Sequence, residues 1–187
     1  MTKNNRLYDF VLTAILSALI VMMTIIPYTG YISYGGVIEI TTLHIVVIVG
    51  AVFLGWQYGA VLGCVWGVTC LLRALTNPLW AAFLNPLVSL VPRIIVGIVA
   101  AAVFRGLNKT RLNKYVCIVV AAIAATLTNT LLVLSALAIF GDSINGFFEL
   151  FKTVYLTIIG TNGLIELGAA VVLVPVIYFA LCKVKRA

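Results

Sequence analysis

The chain has 187 residues, of which 64% are hydrophobic and only 9% charged, against about 45–50% apolar and about 25% charged in soluble domains; no soluble fold hides that much apolar surface, so the bilayer is its solvent. The net charge is +7, but the basic residues gather at the chain ends and in one loop, not in a stripe on a soluble face, which argues for membrane orientation and against nucleic-acid binding. Four cysteines without CxxC spacing and a single histidine, His44, argue against a disulfide framework and exclude a histidine-based metal cluster within the chain.

A membrane helix needs about 20 apolar residues, so six spans and short loops use up the chain, and residues 1–187 are expected to form one all-α transmembrane domain. The first helix is expected over residues 8–27, which are longer than a signal-peptide core and lack a small-x-small cleavage site. A Gly- and Tyr-rich loop, YTGYISYGGVIEI, follows. It is long for a membrane hairpin, and long loops are often functional. The second helix, over 42–54, and the third, from the turn at 55–59 to about 72, are short for full spans, which predicts tilting, breaks or shielding by protein. Residues 73–86 form a loop with Pro78, Trp80, Asn85 and Pro86. A fourth helix covers 87–104, the basic loop RGLNKTRLNK follows, and a fifth helix covers 115–140. The loop GDSINGFFELFKTVYL contains an amphipathic stretch suited to the interface. The last helix covers 160–181, ahead of the basic tail KVKR.

Orientation follows from the lysines and arginines. Lys3 and Arg6, the group Arg105, Lys109, Arg111 and Lys114, and the tail Lys183, Lys185 and Arg186 make nine of the 12 basic residues. With six spans all nine share one side, which the positive-inside rule makes the cytoplasm. Both termini are then cytoplasmic and the three long loops face outward.

Strong polar groups fall in the outer half of the predicted helices. Arg93 lies about 10 Å deep at about 1.5 Å per residue, Glu166 lies at a similar depth, and Asn162 stands one turn from Glu166 on the same face. Asn129, flanked by Thr126, Thr128 and Thr130, lies near the middle of its helix. Ionisable residues there face a cavity or each other, so Arg93 and Glu166 either clamp two helices as a pair or line a polar pocket open to the outside. Tyr31, Tyr34, Trp80, Phe83 and Asn85 in the loops are further candidates to cap such a pocket, although membrane aromatics also form interfacial belts. Arg73 at the outer end of the third helix either attracts an anion or snorkels to headgroups. Glu39 and His44 flank the start of the second helix, as ligand contacts or structural hydrogen bonders. Gly59, Gly63 and Gly67 stand at small-xxx-small spacing, which suits close helix packing. No Walker A, HExxH or GxSxG sequence occurs, so no catalytic residue, metal or cofactor is expected, and any pumping energy comes from a partner or an ion gradient.

The six-helix layout with its basic loop and tail, AILSA at 14–18, IEITTLHIVVIVGAVFLGWQYGAVLGCVWG at 38–67 and NPLVSLVPRIIVG at 85–97 together resemble the S components of energy-coupling factor (ECF) vitamin transporters. The resemblance spans essentially the whole chain, and the last segment is similar to the subgroup that includes pantothenate-specific S components. It implies a substrate-binding subunit that takes a vitamin, with pantothenate the best match, from outside. It implies partners too: a transmembrane T component, for which Ala14 and Ala18 are the docking surface, and two ABC-type ATPases that drive uptake. The implied pocket is built from the first loop and the outer halves of helices four to six. An S component for another vitamin or precursor shares the scaffold. A stand-alone ion-coupled transporter or channel would show titratable residues across the whole membrane, whereas here only an outer cluster is found. A membrane enzyme would need a nucleophile–base or metal set, which is missing.

Overall fold

The structure, a computed structural model, describes residues 3–34, 38–76, 83–140 and 147–186. Its elements are α1 (Lys3–Ile25), β1 (Tyr31–Tyr34), β2 (Ile38–Thr41), α2 (Leu43–Leu54), α3 (Trp56–Ala74), α4 (Pro86–Ser89), α5 (Val91–Leu107), α6 (Lys114–Phe140) and α7 (Phe147–Arg186). Among the described residues, four stretches are long and apolar enough to cross a membrane: Arg6–Ile25, Pro86–Leu107, Lys114–Leu137 and Asn162–Lys185.

The shortness of the second helix has a physical answer. Every residue of α2 from Leu43 to Val52 is buried, so the helix is walled by protein on all sides and its ends need not meet lipid. It sits between two apolar clusters. Leu16, Ile20, Leu62 and Trp66 of α1 and α3 pack on one side; Val96, Ala100, Ile118, Ala121 and Val174 of α5, α6 and α7 pack on the other. The connection to α3 turns on Gly55, whose φ of 114° only glycine adopts without strain.

Three segments depart from the sequence expectation. The first loop contains an antiparallel hairpin, with Tyr31 opposite Thr41 and Ser33 opposite Glu39. The fourth helix is broken into α4 and α5, because Pro92 supplies no N–H for the Val88 carbonyl four residues earlier. The last helix begins at Phe147 and not near residue 160, so most of the stretch read as an interfacial loop is continuous with it. Residues 141–146 of that loop lie outside the described residues, as do Pro78 and Trp80.

The glycine series of α3 packs backbone to backbone against α5. A Cβ on Gly59 would lie 2.8 Å from the Gly97 carbonyl oxygen, one on Gly63 would strike the Arg93 carbonyl, and one on Gly67 would lie 2.8 Å from Leu90 Cα. Gly168 of α7 is exposed, and a Cβ there meets nothing within 4 Å. Gly63→Ala is therefore expected to push α5 away and to destabilise by about 1–3 kcal/mol, as overpacking does, whereas Gly168→Ala is expected to be neutral or stabilising by up to about 1 kcal/mol. Denaturant titration of the two variants in detergent measures the contrast; equal stabilities would contradict the close contact.

Candidate functional site

The site is assembled where the hairpin, α2, α3, α5, α6 and α7 meet. Arg93 is its central charge, 6% exposed on the first turn of α5. The carbonyl of Val88, which Pro92 cannot satisfy, accepts from Arg93 Nη1 at 2.7 Å. The guanidinium carbon lies 5.2 Å from the Trp66 ring centroid and 5.7 Å from that of Phe83, so aromatic faces stabilise the cation where water is absent. Arg93 Nε has no hydrogen-bond partner. Among the described residues no carboxylate lies within 4 Å of Arg93, so the Arg93–Glu166 clamp considered from sequence is not formed.

Glu166 and Asn162 meet a strand instead. Glu166 Oε1 accepts from the Thr41 backbone N–H at 2.7 Å, and Asn162 Nδ2 donates to the Glu39 carbonyl at 3.2 Å. Residues two apart on a strand turn their N–H and C=O groups to the same edge. One helical turn of about 5.4 Å spaces the Asn162 and Glu166 side chains to reach both. The pair thus occupies the free edge of β2, where a third strand would otherwise dock.

The opposite flank of the hairpin is tied to α3. Arg73 donates from both Nη atoms to the Glu39 carboxylate, with Nη2 at 2.5 Å from Oε1, and its guanidinium carbon lies 3.9 Å from the Tyr31 ring centroid. The Tyr31 hydroxyl and Cys70 Sγ are 3.1 Å apart. Burial pushes the Tyr31 phenol well above its ordinary range, with Cys70 adding to the rise, so the group stays protonated. Trp66, Cys70 and Arg73 recur at three- and four-residue spacing, which puts them on one face of α3.

Among the described residues, a short set of buried polar atoms has no partner. Besides Arg93 Nε it comprises Thr126 Oγ1, Asn129 Oδ1 and Thr41 Oγ1, whereas the Trp66 indole meets the Tyr31 hydroxyl and the His44 ring meets the backbones of Glu166 and Thr41. Thr126 and Asn129 share a face of α6 at i and i+3, while Thr128 and Thr130 bond back to the Ala124 and Thr126 carbonyls. Each buried polar group left unsatisfied costs about 1–3 kcal/mol, so these atoms are the candidates to meet a polar molecule. Arg93 and Asn129 were among the sequence candidates and retain unpaired atoms, while His44, also a candidate, meets the backbones of Glu166 and Thr41. Asn85 is taken up as the cap of α4, accepting from Leu87 N–H at 3.0 Å. Arg73, Glu39, Asn162 and Glu166 hold the hairpin. The Tyr34 side chain and Trp80 lie outside the described residues. Trp66 and Thr41 were not anticipated; the one signal for Trp66 was its place between Gly63 and Gly67, on the stripe that packs against α5.

If Glu166 acts as a hydrogen-bond acceptor for the strand edge and not as a counter-ion, Glu166→Gln keeps its function and Glu166→Ala loses it. The expected cost is about 1–3 kcal/mol for alanine and under about 1 kcal/mol for glutamine, read by denaturant titration; equal losses would restore an ionic role.

Comparison with known proteins places this geometry in a family. The profile of the ECF transporter substrate-specific component matches residues 9–178. The chain is 31% identical to the pantothenic acid transporter PanT of Lactococcus lactis subsp. cremoris over 207 aligned positions, covering 98% of each chain. It is 34% identical to the pantothenate transporter PanT of Leuconostoc mesenteroides subsp. mesenteroides over 118 positions, which is 60% of this chain and 56% of that one. The match along nearly the whole chain, on a scaffold of apolar helices around one buried arginine, leaves a plain conclusion: the chain belongs to the substrate-specific components of ECF transporters, as a multi-pass protein of the cell membrane and the vitamin-binding subunit of an uptake system.

Proposed function

We propose that this chain captures pantothenate from outside the cell and presents it for ATP-driven uptake, with Arg93 as the group that holds the vitamin's carboxylate. The observation that carries the proposal is a buried guanidinium with an unpaired Nε and no carboxylate partner among the described residues. A cation with no ion-pair partner in a membrane interior is costly, and an anionic ligand relieves that cost. Asn129 with Thr126 offers acceptor and hydroxyl groups to the ligand's amide. The names of the relatives point to the same vitamin.

In this proposal the chain is one domain of six spans, residues 1–187, with both termini cytoplasmic and the hairpin on the outer side. It performs no catalysis. A transmembrane T component and two ABC ATPases complete the transporter, and the T component docks on α1. Ala14 and Ala18 support that assignment, since both are exposed, on a face of α1 that also exposes Ile15, Leu19 and Met22.

Two measurements test the proposal. Arg93→Ala is expected to weaken pantothenate binding to the purified chain by about 2–5 kcal/mol, the range for truncating one partner of a buried charged pair, or roughly 30-fold and more. Arg93→Lys is expected to bind poorly as well, because an ammonium lacks the planar fork. Near-normal affinity in a folded Arg93→Ala protein would end the carboxylate assignment. Separately, replacing Ala14 and Ala18 together by leucine is expected to abolish copurification with the T component and ATPases while leaving pantothenate affinity within about twofold, since bulk on a close-packed face separates helices. Undiminished copurification would return the two alanines to ordinary lipid-facing positions.

A further inference from the structure

Tyr31 stands between the two arginines of the site. It opens β1, and its ring packs against the apolar cluster of α1, α2 and α3 that contains Trp66 and Cys70. The Arg73 guanidinium carbon lies 3.9 Å from the centroid of that ring. Beyond the ring, the hydroxyl meets the Trp66 indole and lies 3.1 Å from Cys70 Sγ. An indole N–H can only donate, so the Tyr31 oxygen is the acceptor in its bond with Trp66. The indole is in turn the ring beside which Arg93 is set, with the guanidinium carbon 5.2 Å from its centroid. Arg93 also lies within electrostatic reach of the Tyr31 hydroxyl itself. A continuous run of contacts thus leads from Glu39 through Arg73, Tyr31 and Trp66 to Arg93.

The far end of that run governs how Arg93 is presented. Its guanidinium is held by the bond from Nη1 to the Val88 carbonyl and by the rings of Trp66 and Phe83. A cation is attracted to the face of an aromatic ring and not to its edge, so the hold on Arg93 depends on which way the indole is turned. Trp66 is fully buried, and its single polar atom is the N–H. The partner of that N–H therefore selects the orientation of the whole ring. A long side chain that has to be ordered when ligand arrives costs roughly twofold to tenfold in affinity, and an arginine already fixed in place avoids that loss.

We propose that Tyr31 is a positioning residue for the carboxylate site: by holding the Trp66 indole N–H, its hydroxyl fixes the ring face that orients Arg93, and so sets the affinity for a ligand's carboxylate without touching it. The inference rests on the reading of Arg93 as the carboxylate contact of a pantothenate-binding chain. It gives the hairpin a task in recognition besides its own anchoring by Arg73, Asn162 and Glu166.

The test uses the purified full chain in detergent and two probes, measured by titration calorimetry: pantothenate, and pantothenol, in which a hydroxymethyl group replaces the carboxylate while the amide, both hydroxyls and the gem-dimethyl group remain. The wild-type chain is expected to prefer pantothenate by roughly 30-fold or more, the effect of losing one partner of a buried charged pair. Tyr31→Phe is expected to weaken pantothenate by about threefold to tenfold while changing pantothenol less than about twofold. On an Arg93→Ala background the same Tyr31→Phe substitution is expected to change pantothenate less than about twofold, because residues that act through one another are not additive. Trp66→Phe keeps a ring but loses the donor, and reads the same bond from its other side with the same selective loss. Unchanged binding of both probes by Tyr31→Phe overturns the inference, and so does parallel loss of both, which is the signature of a structural role. Failure of both single variants to fold overturns it too, since the bond would then be a requirement of the fold. A wild-type chain that binds the two probes equally overturns the carboxylate assignment of Arg93, and one that binds neither overturns the pantothenate reading; the inference falls with either. A wild-type preference for pantothenate without selective loss in Tyr31→Phe overturns the inference alone, which separates the failures.

Discussion

Direct backbone contact between α3 and α5 is the constraint on which the rest of the site depends. Gly63 lies against the Arg93 carbonyl and Gly59 against Gly97, so the two helices approach as closely as main chains allow. That approach sets the first turn of α5 beside the Trp66 ring and fixes where the Arg93 side chain starts. Pro92 then breaks the hydrogen-bond ladder one residue before Arg93 and leaves the Val88 carbonyl for the guanidinium. One proline and three glycines thereby hold a cation in the interior by one hydrogen bond and two aromatic faces, while its Nε stays unpaired.

The acidic groups near the site are occupied elsewhere, and that division sets its electrostatics. Glu39 is engaged by Arg73, and Glu166 is engaged by the Thr41 N–H. Both interactions secure a short hairpin whose outer edge would otherwise expose backbone groups, a liability in water and a larger one near lipid. Because the carboxylates hold the strand, neither forms an ion pair with Arg93. Side chains that hold the hairpin and side chains with unpaired polar atoms thus stand beside one another. Thr41 shows this within one residue, its N–H serving the fold and its hydroxyl left unpaired.

Membrane residence and most helix positions follow from the sequence alone. Apolar runs of span length dictate them, and no long-range contact alters that requirement. The glycine stripe, the single buried arginine and the pairing of Asn162 with Glu166 on one face were also legible, since helical period alone determines which residues share a face. The family resemblance was legible in continuous segments. What those faces meet was not. Glu166 finds a strand edge 125 residues away and Asn162 one 123 residues away, and nothing local to either residue distinguishes a strand edge from an arginine as its partner. The hairpin itself was hidden in a Gly- and Tyr-rich segment whose strands are only four residues long. Periodicity states which way a side chain points, but only the tertiary packing decides which group stands opposite it. That choice separates Arg93, which remains unpaired at Nε, from Arg73, which is bound to Glu39.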